Sequence, residues 1–242
     1  MSNELDMLIR SQFCDLQAKY PSLALIQNAF GEWSIKGELK FTAAFGEADT
    51  ISDTYEIEIL IPQNFPATIP EARDLSERTK GFHTYPNGTL CLGAPLAVKI
   101  TFSKTPTLLG FVNHCIIPFL YSFSYQIEHG ELPFGDLSHG DEGRLEFYKE
   151  FFDINDQVAV VGLLRILADD DYRGHLECPC GSDSRIRNCH GDKLRYAFSF
   201  QKPEDFMLDY LGIVKWIYDN GGKIPLSYFS KETLKLRSKN RT

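Results

Sequence analysis

The sequence predicts an α+β protein that carries a small metal-binding module near its C-terminus. Apolar residues recur at near-helical spacing over residues 3–19, which predicts a first helix. Apolar and acidic residues alternate over residues 54–62, the period of a strand with one wet face. Three cysteines and a histidine lie together between residues 178 and 190. These observations place a helix, a sheet and a cysteine-rich module in that order along the chain.

Two predicted strands follow the first helix, "SIKGELKFTAAF" at 34–45 and "TYEIEILIP" at 54–62. The segment between them, "GEADTISD", has the composition of a turn, so we expect an antiparallel meander. The next segment, "PQNFPATIP", has three prolines in nine residues. Because proline fixes φ and cannot donate to a ladder, we expect an extended, rigid connector that lies across the sheet.

Further helices are expected in the rest of the chain. The first of them, "TPTLLGFVNHCIIPFL", should be buried, and Pro118 should kink or end it. Cys115 falls on its buried stripe and Cys14 on the first helix, so we interpret Cys115 as a core residue and Cys14 as inert. The other expected helices lie within "RLEFYKEFF", "NDQVAVVGLLRILADD" and "PEDFMLDYLGIVKWIYDNGG".

Composition bounds the class of protein and its compartment. A chain of 242 residues holds one large domain, or a domain of about 150 residues with an appendage. The formal net charge of −8 argues against a general nucleic-acid binder. The N-terminus lacks the pattern of a secretory signal, and the longest apolar stretch, "CIIPFLYSF", is too short to span a bilayer. We therefore expect a cytoplasmic protein, whose thiols stay reduced.

Cys178, Cys180, Cys189 and His190 are the candidate metal ligands. The two cysteines of Cys-Pro-Cys are poorly placed to bridge each other, whereas both sulfurs can point at one ion. Three thiolates and an imidazole complete a tetrahedral zinc site, and Gly181 and Ser182 permit the tight turn between the ligand pairs. Because all four ligands come from the protein, the predicted role of Zn²⁺ is structural.

The run "CPCGSDSRIRNCHG" resembles the SEC-C motif, which is an appended zinc-binding module. The motif reads Cys-x-Cys-Gly-Ser, then a polar or basic stretch, then Cys-His or Cys-Cys. All four candidate ligands match it, as do the Gly and Ser after the second cysteine. Asp183 stands where the family usually has glycine. The alternative is a cysteine-rich turn without metal.

Cys91 is the remaining cysteine, and its loop "FHTYPNGTLCLGAP" sets it apart from the others. A loop between structured elements is where reactive groups usually lie, and the thiolate is the reactive form of cysteine. His83 lies eight residues upstream and is a candidate for orienting the loop backbone or a bound carbonyl. A turn at 87–89 would present the cysteine at its end.

The order of these elements resembles the ubiquitin-conjugating enzymes, and more closely the prokaryotic members of that fold. "NFPATIP" is similar to the Phe-Pro-x-x-Tyr-Pro segment that follows the family's meander, and "GTLCLG" to its Gly-x-Ile/Leu-Cys-Leu loop. The resemblance covers about residues 3–152 and is most specific between Phe65 and Gly93. It implies a ubiquitin-conjugating-enzyme-like (UBC-like) fold in which Cys91 carries a ubiquitin-like modifier as a thioester and passes it to an amine.

The family's His-Pro-Asn turn is altered here, because His83 is followed by Thr84 and Tyr85. The resemblance leaves His83 with the family histidine's structural role. Asn87 and Tyr85 are the candidates for the role that the family's asparagine has in transfer.

A later loop, "LPFGDLSHGDEG", occupies the part of the chain that faces the active site in the family. Asp136, His139 and Asp141 are therefore candidates for deprotonating an attacking lysine. The alternative is a solvated acidic loop without a catalytic role.

The resemblance also implies partners and a domain order. The partners would be an activating enzyme, a ubiquitin-like modifier and a protein target, for which a nucleotidyltransferase is one candidate. Such sets occur in bacterial antiviral defence. The predicted domains are a UBC-like domain at 1–152, a helical linker at 153–176, the zinc motif at 177–193, and a C-terminal helix with a basic tail at 194–242.

Three other functions stay open on the sequence. One is a catalytically inactive UBC-fold binding or adaptor protein with a structural zinc site. Another is a cysteine hydrolase with Cys91 and His83 as a dyad, which "CLGAPLAVKI" disfavours because it lacks a helical pattern after the cysteine. The last is a zinc-dependent nucleic-acid module, which the acidic net charge disfavours. Its candidate phosphate contacts are Lys231, Lys235, Arg237, Lys239 and Arg241.

Overall fold

The computed structural model describes residues 2–133 and 140–234. The chain divides into two compact units, residues 1–137 and 138–242. The first combines helices with a four-stranded antiparallel sheet, and the described part of the second is helical. The prediction of a mixed α+β protein is confirmed at this level.

The first unit begins with the predicted helix and then forms the sheet. Helix α1 is Ser2–Lys19. The strands are β1 (Leu23–Gln27), β2 (Trp33–Ala43), β3 (Ile51–Ile61) and β4 (Glu71–Asp74). They pair antiparallel in the order β1-β2-β3-β4, so the predicted meander is extended by one short strand on each side.

Alternation along β2 and β3 decides which face of the sheet is buried. Ile35, Leu39, Tyr55, Ile57 and Ile59 are each at most 1 % exposed, and they form the core of this unit. On the opposite face Glu58 pairs with Lys36 across the strands at 2.9 Å. Each buried aliphatic or aromatic side chain contributes about 1.5–3 kcal/mol, so the register that buries this set is strongly favoured.

The proline-rich segment at 62–70 does not form the extended connector that the sequence predicted. It folds into turns, in which Phe65 N–H donates to the Pro62 carbonyl at 3.0 Å and Ala67 N–H to the Asn64 carbonyl at 2.9 Å. The donors of these bonds are non-proline residues, so the three prolines do not prevent the turns. The fold-back buries Phe65 in the core.

Helix α2, Pro95–Lys104, corrects the expectation that the segment after Cys91 is not helical. Pro95 occupies the first turn, where its missing N–H costs nothing and its fixed φ suits the helix. Leu96 and Phe102 are the buried residues that dock it. The β-branched residues between them masked the helical pattern, since Val, Ile and Thr favour strands.

Pro118 does not end the next helix, which runs without a break over Leu108–His129. It consists of α3 (Leu108–Phe111), a π-helical turn (Val112–Ile116) and α4 (Ile117–His129). The π turn ends where Ile117 N–H donates to the Val112 carbonyl, and Pro118 then lies in the first turn of α4, where no N–H is needed.

This helix is long and apolar enough to cross a membrane by length and composition, but 61 % of its most apolar window is buried inside the protein. It is a core helix, consistent with a soluble protein. Cys115 lies within it at 5 % exposure, which confirms the prediction of a core residue.

The helices of the second unit include α5 (Gly140–Phe152), α6 (Gln157–Ala168), α7 (Gly191–Phe198) and α8 (Pro203–Asp219). Short 3₁₀ turns lie at Ile186–Asn188 and Leu226–Tyr228. Helix α6 is buried over most of its length and packs against α5, α7 and α8. Because α5 packs against α6 and α8, it belongs to this unit, whereas the sequence analysis placed residues up to 152 in the first domain.

Candidate functional site

The four predicted metal ligands come together in the second unit. One ligand atom each from Cys178, Cys180, Cys189 and His190 lies within 4.8 Å of all the others. Nδ1 of His190 is 3.2 Å from Sγ of Cys178 and 3.2 Å from Sγ of Cys189. The ligand atoms of a tetrahedral zinc site lie about 3.5–3.8 Å apart, since Zn–S is about 2.3 Å and Zn–N about 2.0 Å. The cluster therefore has the size and donor set of a metal centre.

The backbone builds this centre from a tight turn and a helix start. Cys178 N–H donates to the Ser184 carbonyl at 2.8 Å, and Gly181 N–H donates to the Cys178 carbonyl at 3.2 Å. Gly181 and Asp183 both have positive φ, at 75° and 55°. Asp is one of the few non-glycine residues that tolerate this region, so Asp183 can adopt the conformation that the turn requires. The other ligand pair directly precedes α7, whose N-terminal end favours negative charge.

His190 is held by a contact on the far side of its ring. Its Nε2 donates to the carbonyl oxygen of Phe152 at 2.9 Å, and the imidazole is 8 % exposed. With the proton on Nε2, the lone pair of Nδ1 faces the sulfurs, which is the tautomer that a metal ligand requires. Phe152 had no signal in the sequence, because it lies 38 residues before His190.

Ser182 is a second contact that sequence analysis assigned only to the turn. Its hydroxyl lies 3.2 Å from Sγ of Cys180 and 3.3 Å from Sγ of Cys189. A hydroxyl at this distance can donate to a thiolate. The residue thus supports the two outer ligands as well as the loop.

Burial sets the electrostatics of the centre. It raises the pKa of the Cys178 thiol to about 12, and it lowers the pKa of His190, which favours the neutral imidazole. For Cys180, burial acts upward, but hydrogen bonds from the side chain and backbone of Ser182 outweigh it and lower the pKa. A cation among the sulfurs would supply the positive charge that a buried Cys178 thiolate lacks, so these residues fit a bound metal.

Cys91 lies in the first unit at the base of a short hairpin. Cys91 N–H donates to the His83 carbonyl at 2.7 Å, and Tyr85 N–H donates to the Thr89 carbonyl at 2.8 Å. Leu90 lies between Thr89 and Cys91. Its N–H donates to the Ala72 carbonyl of β4 at 2.8 Å, and the residue is buried. The half-buried Cys91 therefore follows directly on a segment that is hydrogen-bonded to the sheet.

His83, the second predicted residue of this loop, lies at the base of the same hairpin. His83 is paired with Cys91 through its backbone, at a φ of 41° that few residues other than glycine adopt. Its ring packs edge-on against Phe82 at 4.9 Å between centroids, and Phe82 contacts Phe119 and Phe123 of α4. The histidine thus joins the cysteine loop to the core.

Asn87 is not brought to Cys91. It lies at the tip of the hairpin, where its side chain accepts from Thr89 N–H at 3.0 Å and stabilises the turn. The backbone pairs 85–89 and 83–91 separate it from Cys91 at the base. Tyr85 lies nearer, at a position diagonal to Cys91 across the pair, and is 42 % exposed.

Of the three candidates from the acidic loop, only Asp141 lies within the described residues. Asp136 and His139 lie outside the described residues. Asp141 lies in the first turn of α5, where its carboxylate pairs with Arg144 at 2.7 Å. Lys231 of the basic tail lies 3.9 Å from Asp171, and the other four basic residues named for it lie outside the described residues.

Comparison with protein-family models found no match, and comparison with curated proteins found none either.

Proposed function

We propose that this protein is a ubiquitin-like-protein conjugating enzyme that carries its modifier as a thioester on Cys91. The position of Cys91 supports the proposal: it is half-buried and follows a helix and a four-stranded antiparallel meander. Its loop is hydrogen-bonded to the last strand through Leu90. This is the element order expected of a UBC-like fold, and it holds a single thiol on a rigid scaffold.

The chemistry would be two acyl transfers. The Cys91 thiolate attacks the thioester carbonyl between the modifier and the activating enzyme, and the activating enzyme's thiolate leaves. An amine of the target then attacks the new thioester, loses a proton, and displaces the Cys91 thiolate. The Cys91 N–H already donates to His83, so a donor for the oxyanion must come from another group, and Tyr85 is the candidate that the hairpin places nearest.

The metal of the proposed appended module is zinc. Three thiolates and one imidazole in a closed, four-ligand set are the donors of structural zinc sites. The four residues would hold the ion, and its role would be structural, as a cross-link between the turn at 178–184 and α7. Metal analysis of the purified protein should give about one zinc per chain, and cobalt substitution should give the absorption of a tetrahedral thiolate site.

The first test is transfer from a small thioester, because it needs no cognate partner. A peptide ending in Gly-Gly, activated as a mercaptoethanesulfonate thioester, should form an adduct that thiol reductants remove. The adduct should be absent in Cys91→Ala and unchanged in Cys14→Ala, which removes an exposed thiol elsewhere in the unit. Cys91→Ser should give an ester that resists reductant. Adduct formation that persists in Cys91→Ala would contradict the assignment of Cys91.

Charging with a candidate activating enzyme and modifier then tests the partners. Tyr85→Phe removes only a hydroxyl, and under this proposal it leaves charging intact and slows transfer to an amine by about 100-fold, the usual cost of one oxyanion donor. Asn87→Ala, at the tip of the hairpin, is the matched control and should leave both steps unchanged. Equal transfer by Tyr85→Phe and wild type would exclude Tyr85.

A second candidate function is a binding or adaptor protein, and a cavity beside the metal centre favours it. The cavity has a volume of about 280 Å³, and Cys178, Pro179 and Tyr228 contribute to its wall. Arg165 also lines it, and its Nε is buried without a hydrogen-bond partner among the described residues. Such an N–H can donate a hydrogen bond to a carbonyl or carboxylate oxygen of a partner. The two candidate functions predict different effects of mutation in the cell. Cys91→Ala should abolish the function of an enzyme, whereas Arg165→Lys should abolish that of an adaptor.

A further inference from the structure

The four ligands of the metal centre are unequal in their exposure. Cys178 and His190 form the buried side, at 5 % and 8 % exposure. Cys180 is half-buried, and Cys189 is exposed. A reagent from solution therefore meets Cys180 and Cys189 first, while the other two ligands are covered by protein.

The two outer sulfurs are also close to each other. Sγ of Cys180 and Sγ of Cys189 are 3.4 Å apart, whereas a disulfide needs about 2.05 Å. The turn between the ligand pairs includes two residues with positive φ, and Gly181 has open space around its Cα. A movement of little more than an ångström, in an exposed loop, would bring the two sulfurs to bonding distance.

Ser182 adds a third feature to this pair. Its hydroxyl is within hydrogen-bond distance of both outer sulfurs. When one sulfur attacks another, a neighbouring hydrogen-bond donor can stabilise the negative charge that develops on the leaving group. Nδ1 of His190, by contrast, lies 3.2 Å from Sγ of both Cys178 and Cys189, so the Ser182 hydroxyl is the contact shared by the two outer sulfurs.

We propose that Cys180 and Cys189 are an oxidation site, which peroxide-class oxidants convert to a disulfide with release of the metal. The Cys189 thiolate attacks one peroxide oxygen and gives a sulfenic acid and hydroxide. The Cys180 thiolate then attacks the sulfenic sulfur, the S–S bond forms, and a second hydroxide leaves. In total two thiolates, one hydrogen peroxide and two protons give one disulfide and two waters.

Oxidation of Cys180 and Cys189 should release the metal, because too few ligands remain. After oxidation only Cys178 and His190 can bind the ion, and two ligands do not retain a structural zinc. The reaction does not involve the buried hydrogen bond between His190 and the Phe152 carbonyl. The conformational change should therefore be confined to the loop at 180–189. This inference rests on the proposed metal centre and is independent of the conjugating activity.

The test begins with metal content, so that the two proposals fail separately. The full-length protein is loaded with Zn²⁺, desalted, and treated with hydrogen peroxide in the presence of a chromophoric zinc indicator. Release of about one equivalent of zinc per chain, reversed by a thiol reductant, is the expected result. A protein that never holds zinc overturns the metal centre and this inference together. A loaded protein that keeps its zinc under peroxide overturns this inference alone.

Mass spectrometry then identifies the bonded pair. Arg185 and Arg187 lie between the two cysteines, so trypsin leaves them on separate peptides that only a disulfide holds together. Fragmentation should assign the bond to Cys180 and Cys189. A bond from Cys189 to Cys178, or sulfinic acids without a disulfide, would overturn the assignment.

A histidine variant tests the pair through the rate of zinc release, since imidazole binds zinc but does not form disulfides. Cys180→His removes one of the oxidised sulfurs and should slow peroxide-driven zinc release by at least about tenfold. The control is Cys14→Ala, which removes an exposed thiol outside the metal centre and should release zinc at the wild-type rate. Equal rates for Cys180→His and this control would contradict the proposal.

Discussion

Nε2 of His190 donates to the carbonyl oxygen of Phe152 at 2.9 Å, and the two residues lie 38 positions apart in the chain. Phe152 is the last residue of α5, and His190 directly precedes α7. The last carbonyls of a helix lack partners within the helix, so the imidazole satisfies a group that would otherwise be buried without one. The metal centre is thereby attached to the helical unit around it.

His190→Cys should separate metal binding from this attachment. A thiolate replaces the imidazole as the fourth ligand, so we expect about one zinc per chain to remain. The Phe152 carbonyl loses its donor, and the free energy of unfolding should fall by about 1–3 kcal/mol. Urea unfolding of the zinc-loaded proteins measures the difference. His175→Ala, at an exposed position of the same unit, should leave both quantities unchanged. Loss of zinc in His190→Cys would show that the ring supplies more than a fourth ligand.

Gly162→Ala should weaken zinc binding although it adds a good helix former to α6. A Cβ at this position would lie 2.7 Å from Cβ of Pro179 and 3.1 Å from the ring of Tyr228. Pro179 lies between two ligands, so its displacement moves both Cys178 and Cys180. We expect zinc affinity to fall at least about tenfold, measured by competition with a chelator.

The control for this variant is Gly221→Ala, which has open space around it but a φ of 76°. Alanine there should cost about 1 kcal/mol of stability and leave zinc affinity unchanged. If Gly162→Ala bound zinc as tightly as wild type, the packing of α6 against Pro179 would not position the ligands.

The metal ligands were predictable from sequence because they lie within thirteen consecutive positions, 178–190. A short loop brings its own residues together whatever the rest of the chain does. The Phe152 contact was not predictable, because it depends on how α5 and α7 pack. The same limit holds for Cys91: the sequence located it on a loop, but only the pairing of His83 with Cys91 shows that Asn87 lies at the far end of a hairpin.

Element prediction succeeded where patterns were long. Helix α1 and strands β2 and β3 extend over 18, 11 and 11 residues, enough for a period to be visible. Strands β1 and β4 have only 5 and 4 residues, too few for alternation to be recognised. The expectation that Pro118 could end its helix was wrong because a π turn, which nothing in the local sequence signals, places it in the first turn of α4.

The Asp53 carboxylate should make stability depend on pH. Burial acts to raise its pKa, but hydrogen bonds from Arg78 at 2.8 and 3.0 Å and from Ser124 at 2.7 Å outweigh it and lower the pKa to about 2. A carboxyl whose folded pKa lies below the unfolded value stabilises the protein above pH 4 or so. Solvent screening of the partly exposed pair reduces this contribution to about 1 kcal/mol, and it is lost as the pH falls from about 4 to 2.

Asp53→Asn tests this by comparison with wild type across that pH range. The difference in unfolding free energy should be largest at pH 6 and shrink toward pH 2, where the wild-type carboxyl is protonated. Asp15→Asn, which removes a carboxylate from an exposed position of α1, should give a small difference at every pH. A gap between Asp53→Asn and wild type that stays constant with pH would mean that the ion pair with Arg78 contributes nothing.

Gly37 should tolerate no side chain. It lies inside β2 at a φ of 137°, and a Cβ there would approach the Ser22 carbonyl oxygen to 2.2 Å. Both partners are backbone, so neither can rotate away, and Gly37→Ala should destabilise the protein by about 3 kcal/mol or more. Gly31→Ala shares a positive φ but meets nothing within 4 Å, so it should cost about 1 kcal/mol. Equal midpoints of thermal unfolding for the two variants would disprove the clash.

The three cysteines of the first unit should react with alkylating reagents at very different rates. Burial raises the pKa of Cys115 to about 11, so at pH 8 only about 0.1 % of it is thiolate, and the residue is 5 % exposed. Cys14 is exposed and Cys91 half-buried, so both should be labelled by iodoacetamide at least about 100-fold faster than Cys115, as measured by mass spectrometry of the zinc-loaded protein. Cys115 should react only after denaturant unfolds its helix. Labelling of Cys115 at the rate of Cys14 in the folded protein would mean that the core around the π turn opens, and the rigid support assumed for Cys91 would then be in doubt.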